Sequence, residues 1–159
     1  MIIGTLSDTH DNMLQIRKAV DFFRERGVEH VIHAGDFTSP FTFQSLKELI
    51  CEFTGIFGNN DWDKVLFHTL SGGRVHNQPY TFELARKKIV VIHEHHIVNA
   101  LANSGHYDLV VYGHTHKAEI RKAGLTLMVN PGETGSRLNG KSTVAIVDLS
   151  DMTAEIISL

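Results

Sequence analysis

Short apolar runs recur along the chain, several of them followed by stretches whose apolar positions return at helical spacing. The first run, IIGTLS at 2–7, predicts a strand. Asp11 and Asn12 then offer caps to a helix whose apolar residues Ile16, Ala19, Val20 and Phe23 keep helical spacing until Gly27 stops it. A second strand, HVIHAG, leads to Ser39 and Pro40, an N-cap and first-turn proline for a helix predicted to end near Ile50. TGIFG predicts a third strand, so the opening order is βαβαβ. The pattern from Trp62 to Gln78 is irregular. Beyond it, YTFELA and KKIVVIH read as a hairpin, residues 96–104 as a short helix and LVVYG as a buried strand. AEIRKA, LTLMVN, STVAIVDL and TAEIIS alternate as strands do. A βαβ start with an antiparallel finish predicts a mixed, layered α/β (α+β) domain, two packed sheets flanked by helices, with residues 1–159 as one unit.

A chain of 159 residues can bury a core without disulfides. Its one cysteine, Cys51 in LICEF, has no partner for an internal bridge and reads as a small buried apolar residue. That suits a reducing compartment. The apolar run after Met1 meets Asp8 too soon for a signal-peptide core or a membrane span, so a cytoplasmic protein with no membrane attachment is expected. A formal charge of -3 and a pI near 6.4 exert no pull on nucleic acid or anionic lipid, and nucleic acid is not an expected partner. Arg86, Lys87 and Lys88, the dense basic run, fall where the hairpin must turn and read as a solvated turn. The anomaly is histidine, of which there are 11.

Polar residues of metal-ligand type follow directly after five apolar strands. Asp8 and His10 follow IIGTLS, Asp36 follows HVIHAG, Asn59 follows TGIFG, His93 ends KIVVIH, and His114 and His116 follow LVVYG. In α/β sheets the carboxyl ends of neighbouring strands share one rim, so these sequence-distant groups are expected to meet. Gly35, Gly58 and Gly113 each stand just before a candidate ligand, where the strand must turn and the backbone must approach closely. In D-x-H and H-x-H, residues two apart share a direction if the extended backbone persists. A single H-x-H is weak, since ~0.8 are expected by chance at this histidine content. Five such fragments, each at a strand end, are not. Ser7 lies beside them, but nothing in the pattern marks a base or an oxyanion hole for serine chemistry.

The ordered set D-x-H (Asp8, His10), G-D (Gly35, Asp36), G-N-x-D (Gly58, Asn59, Asp61), a strand-terminal His93 and G-H-x-H (Gly113, His114, His116) resembles the calcineurin-like metallophosphoesterase superfamily, in particular its small single-domain prokaryotic phosphodiesterases. The likeness runs over nearly the whole chain. It implies a sandwich of two mixed sheets flanked by helices and a dinuclear centre. By position in the family, Asp8, His10 and His116 look like ligands of one metal and Asn59, His93 and His114 of the other, with Asp36 bridging. Asp36, Asn59 and His114 are assigned the catalytic part. Four imidazoles, two carboxylates and one amide suit a transition metal, Mn first, with Ni, Co, Fe or Zn as alternatives, better than Mg or Ca. The implied reaction is attack of a metal-bound hydroxide on a small phosphodiester. Rival activities are a phosphomonoesterase or nuclease at the same site, or a non-catalytic scaffold such as the retromer subunit of this fold. Homo-oligomerisation is left open.

The pattern departs from the family in two places. Many members carry histidine where this chain has Asn60, and an amide donates no proton as a general acid, so leaving groups that need no protonation are favoured. Glu94 stands where the related phosphodiesterases usually have glycine, and reads either as a carboxylate orienting a histidine or as a group crowding substrate. Asp61 is expected to hold its loop by hydrogen bonds, and His95 to reach the site sooner than His96. His33 reads as a core histidine, and His30, His68, His76 and His106 as surface residues. Asn130, Pro131 and Gly132 are expected to shape the rim, and Trp62 and Phe67 to pack, to wall a substrate pocket or to form a dimer contact.

Overall fold

The computed structural model describes every residue except Asn139. One sheet has six strands in the order β11-β10-β1-β2-β3-β4. In chain order these are β1 (Ile2–Leu6), β2 (His30–His33), β3 (Glu52–Ile56), β4 (Val75–His76), β10 (Thr143–Asp148) and β11 (Thr153–Ser158). The other has five, β5-β6-β7-β9-β8, formed by β5 (Tyr80–Leu84), β6 (Lys87–Ile92), β7 (Leu109–Tyr112), β8 (Glu119–Ala123) and β9 (Thr126–Asn130). Inside each sheet lies a parallel block, β1-β2-β3 in the first and β6-β7-β9 in the second. β4 extends the first block in parallel, and antiparallel strands complete the other edges, β10 and β11 in the first sheet and β5 and β8 in the second. The expected mixed two-sheet architecture is therefore present.

The apolar runs form strands because both of their faces are covered. In β6, Ile89 and Val91 point into the layer between the sheets, while Val90 and Ile92 point outward under α4 (Val98–Asn103); β7 repeats this with Leu109 and Val111 against Val110 and Tyr112. On the other side, α1 (Met13–Glu25) buries Ile16, Ala19, Val20 and Phe23 against the first sheet, the four positions whose spacing predicted it. Asn12 caps it by accepting from Gln15 N at 3.4 Å. The hairpin turns through Ala85 and Arg86, both left-handed, and Lys87 and Lys88 begin the return strand.

Four expectations change. The helix after Ser39 is a 3-10 turn at Pro40–Thr42 followed by one α turn, α2 (Phe43–Leu46). It stops early because Thr42, Phe43, Ser45 and Leu46 already bury its inner face, and Ile50 is left exposed. The irregular stretch contains α3 (Lys64–Ser71), capped by Asp63, whose carboxylate accepts from Leu66 N at 3.0 Å, and ended by left-handed Gly72. Its periodicity is hidden because Val65, Leu66 and Leu70 face solvent and Phe67 and Ser71 are the buried pair. His30 is buried in β2, with Nε2 3.0 Å from Thr54 Oγ1. Cys51 is half-buried rather than fully enclosed.

His33 is fully buried and stacks on Phe37 with ring centroids 3.6 Å apart. Its Nδ1 accepts from Gly35 N at 3.1 Å, so the neutral tautomer carries its proton on Nε2, 3.0 Å from Thr9 Oγ1. Burial, and then the charge of His93, hold its pKa well below the ordinary value. The unfolded chain thus takes up a proton near pH 6.5 that the folded chain refuses, and stability falls as pH drops through that value. His33→Asn keeps an acceptor for Gly35 N but does not titrate. Urea unfolding at pH 7.5 and 5.5 is expected to show a smaller loss for the variant than for the unmodified protein; equal losses would show that His33 titrates normally in the fold.

Candidate metal centre

The carboxyl ends of β1, β2 and β3 in one sheet and of β6 and β7 in the other deliver the seven predicted residues to a single rim. Two groups of donor atoms lie within 4.8 Å of one another: Asp8, His10 and His116, and Asp8, Asp36 and His93. Asp36 Oδ2 stands 3.8 Å from His10 Nε2 and 3.4 Å from His93 Nε2, between the two sides. Asn59 Oδ1 lies 3.0 Å from His93 Nε2 and 2.9 Å from His114 Nδ1, which places the remaining two predicted ligands beside the second group.

The backbone achieves this differently from the extended geometry expected of D-x-H. Asp8, His10, Asp36, His114 and His116 all have positive φ, between 43° and 68°. This left-handed conformation costs roughly 1–2 kcal/mol per residue for side chains with a Cβ. It turns each strand end sharply enough for neighbouring side chains to converge. The two glycines that matter most are sites of close approach. A Cβ at Gly58 would overlap the Asp36 carboxylate, and one at Gly113 would overlap Ser7 Oγ.

Three of the four imidazoles are aimed by a second partner. His93 Nδ1 donates to Ala34 O at 2.8 Å, His10 Nδ1 lies 3.3 Å from Thr38 Oγ1, and His116 Nδ1 lies 3.3 Å from Glu133 Oε2, so all three turn Nε2 inward. Asp61 holds the loop as expected, accepting from Gly58 N at 2.7 Å, Thr38 N at 2.7 Å and Asp36 N at 3.1 Å. Asn60 donates through its backbone and its amide to the two Asp36 oxygens, at 2.9 and 2.7 Å. Asn130 Nδ2 donates to Gly113 O at 3.1 Å and fixes the start of the G-H-x-H turn. Ser7 is buried, donates to Asp8 Oδ2 at 2.6 Å and is closed to substrate.

Glu133 escaped the sequence reading although it obeys the same rule, a polar residue just past the end of a buried strand, here β9. It takes the orienting part considered for Glu94, whose side chain is exposed and makes no hydrogen bond or ion pair among the described residues. His95 is exposed and stacks on His114 at 5.6 Å between centroids. Phe67 is core, packed on Phe37, Phe43 and Phe57, whereas Trp62 is 70% exposed beside the rim.

Residues 1–152 match the calcineurin-like phosphoesterase superfamily domain. The chain belongs to that superfamily. A phosphodiesterase of Methanocaldococcus jannaschii is 35% identical over 154 residues, covering 93% of each chain. The solved structure of an archaeal phosphodiesterase covers both chains fully, with a TM-score of 0.93 and 33% identity. Vps29 from Entamoeba histolytica, crystallised with zinc, has a TM-score of 0.73 over 99% of each chain at 16% identity, which shows the shared fold alone. Hydrolysis of phosphate esters is the activity that this membership supports, and the superfamily is metal-dependent. Among the described residues no helix is long and apolar enough to cross a membrane.

The residues fit such ions. Asp8 Oδ1 is buried and accepts no hydrogen bond, a costly state for a carboxylate that a cation would relieve. Without metal, burial raises the Asp8 carboxyl despite His93 and Ser7. Burial also opposes ionisation of Asp36, but hydrogen bonds from His93 and Asn60 outweigh it and hold this carboxyl well below the usual range. Burial opposes a charge on His93 too, yet contact with Asp36 raises its pKa. An imidazolium cannot ligate, so metal must displace the His93 proton and affinity must increase with pH. Calorimetric titration with Zn in buffers of different ionisation enthalpy is expected to show proton release and weaker binding at pH 6 than at pH 8. Binding without either effect would contradict this electrostatic picture.

Proposed function

We propose that the chain is a phosphodiesterase that cleaves small phosphodiesters at a dinuclear centre held by Asp8, His10, Asp36, Asn59, His93, His114 and His116. Mn is the favoured ion, with Ni, Co, Fe or Zn as alternatives for this mixed nitrogen and oxygen donor set. The observation that carries this reading is the position of Asp36 Oδ2 between His10 on one side and His93 on the other, the place of a bridging carboxylate. A pair of divalent ions there would supply an activated water and positive charge against the phosphoryl oxygens.

The chain's own residues do the rest. Asn60 and the backbone around it hold the Asp36 carboxylate in one orientation. Asn59 and His114, on the exposed side of the cluster, are the groups nearest to an incoming phosphate. Ser7, the side-chain nucleophile considered beside the centre, is buried and committed to Asp8, which favours direct attack by water. The phosphodiesterase relative at 35% identity supports diesters over monoesters. A scaffold role would leave seven converged donors and a buried unsatisfied carboxylate oxygen without use.

Asp36→Asn keeps the size of the side chain and removes the bridging charge. Hydrolysis of bis(p-nitrophenyl) phosphate with Mn is expected to drop at least ~100-fold, with bound metal falling from about two ions per chain as measured by elemental analysis. Full activity in the variant would refute the assigned centre, and an inactive unmodified protein with all five metals would favour the scaffold.

The Asn60 amide is already committed to Asp36 and offers no acid to the leaving oxygen. Turnover of a series of aryl methyl phosphodiesters is therefore expected to slow steeply as the leaving phenol becomes less acidic. A flat series would reveal another proton donor, with His95 against His114 the first to replace.

A further inference from the structure

A cavity of about 450 Å³ opens directly off the centre, and its two sides differ in character. Toward the metals it is walled by His10, His116 and Asn60; its outer wall is Trp62, Arg137 and Leu138. Trp62 and Leu138 are 70% and 74% exposed, so both present apolar surface at the mouth of the cavity. The Arg137 guanidinium makes no ion pair or hydrogen bond among the described residues, so its donors are free toward the cavity. The cavity's carboxylate, Asp11, is already engaged, with Oδ1 accepting from Ser39 N at 3.0 Å and Ser39 Oγ at 2.8 Å.

The outer wall is not a loose surface. Glu133, buried beneath it, accepts from Arg137 N and, at 3.1 Å, from Leu138 N, while its other oxygen faces His116 Nδ1. One carboxylate thereby aims a metal ligand and pins the segment that presents Arg137. Trp62 is pinned on the opposite side by its N–H to Thr38 O at 3.1 Å, in the loop that Asp61 holds. The cavity thus joins a flat indole, a free guanidinium and the metal ligands on segments whose backbone is held by hydrogen bonds, and its volume falls within the roughly 300–1,000 Å³ of small-molecule sites.

We propose that this cavity binds the organic half of the substrate and that the substrate is a nucleotidyl diester carrying a second phosphate, its ring stacked on Trp62 and the second phosphate paired with Arg137. Indole accepts any planar heteroaromatic ring, and a planar guanidinium matches a phosphate through paired donors. With the scissile phosphate against the ligand cluster, Arg137 on the outer wall is assigned to a second phosphate. This inference deepens the phosphodiesterase reading and rests on it for the position of the scissile bond.

Trp62 is the chain's only tryptophan, so its fluorescence reports on this wall independently of turnover. In the Zn-loaded protein, thymidine 3′,5′-bisphosphate is expected to quench it saturably, thymidine far more weakly and inorganic phosphate not at all. Arg137→Gln should weaken the bisphosphate at least tenfold, with Arg137→Lys between; both positions are exposed, so folding is not at stake. In the Mn-loaded protein, kcat/KM for the p-nitrophenyl ester of thymidine 3′,5′-bisphosphate relative to methyl p-nitrophenyl phosphate should fall at least tenfold in Trp62→Ala and in Arg137→Gln. Absent quenching, quenching by inorganic phosphate alone, or an unmoved substrate ratio would overturn the proposal while leaving diester hydrolysis intact. Quenching as expected with no hydrolysis of either ester would sustain the pocket and remove the phosphodiesterase reading.

Discussion

Ile3, Ile32 and Ile56 from one sheet pack with Ile89, Val91, Leu109, Val111 and Val129 from the other, and this apolar layer sets the separation between the two halves of the rim. Each of these side chains contributes roughly 1.5–3 kcal/mol on burial. Asp8, Asp36 and Asn59 ride on one sheet and His93, His114 and His116 on the other. The donors face one another only because the layer beneath them has the right thickness and register. Parallel pairing adds the second condition, since within each block it brings the carboxyl ends of the strands to one edge.

Above that layer the local structure is unfavourable by itself. Five of the seven donors sit in left-handed backbone, and two glycines give way to the side chains they border. Such conformations persist when their surroundings over-determine them. Here the surroundings are backbone hydrogen bonds from one strand end to the next, including Asp8 N to Gly35 O at 2.9 Å and His10 N to Asp36 O at 3.1 Å. The rim is a lattice of such links, and Asp61, Asn130 and Glu133 close its gaps with side chains.

The strands and α1 were legible because burial on two faces, or on one helical face, leaves a period in the sequence. The donors were legible because each follows such a strand. What stayed hidden had no period or no neighbour to betray it. α3 keeps just Phe67 and Ser71 inside and shows solvent most of its apolar side chains, so its pattern reads as noise. Glu133 gains its meaning from His116, in the loop that follows another strand, and no spacing in the chain connects them. Glu94 drew attention by adjacency to His93, yet its side chain is exposed and makes no hydrogen bond or ion pair among the described residues. Proximity along the chain misleads where a strand ends and the backbone reverses direction.

The sharing of the donors between sheets also has a temporal meaning during synthesis. A chain released only as far as β6 holds Asp8, His10, Asp36, Asn59 and His93 but neither His114, His116 nor the Glu133 that aims the last of these. Its first sheet also lacks β10, the strand beside β1. Strand ends without their opposing block have no fixed spacing to offer an ion. On the proposed assignment, loading would come after both blocks have formed, as a seal across the completed sandwich.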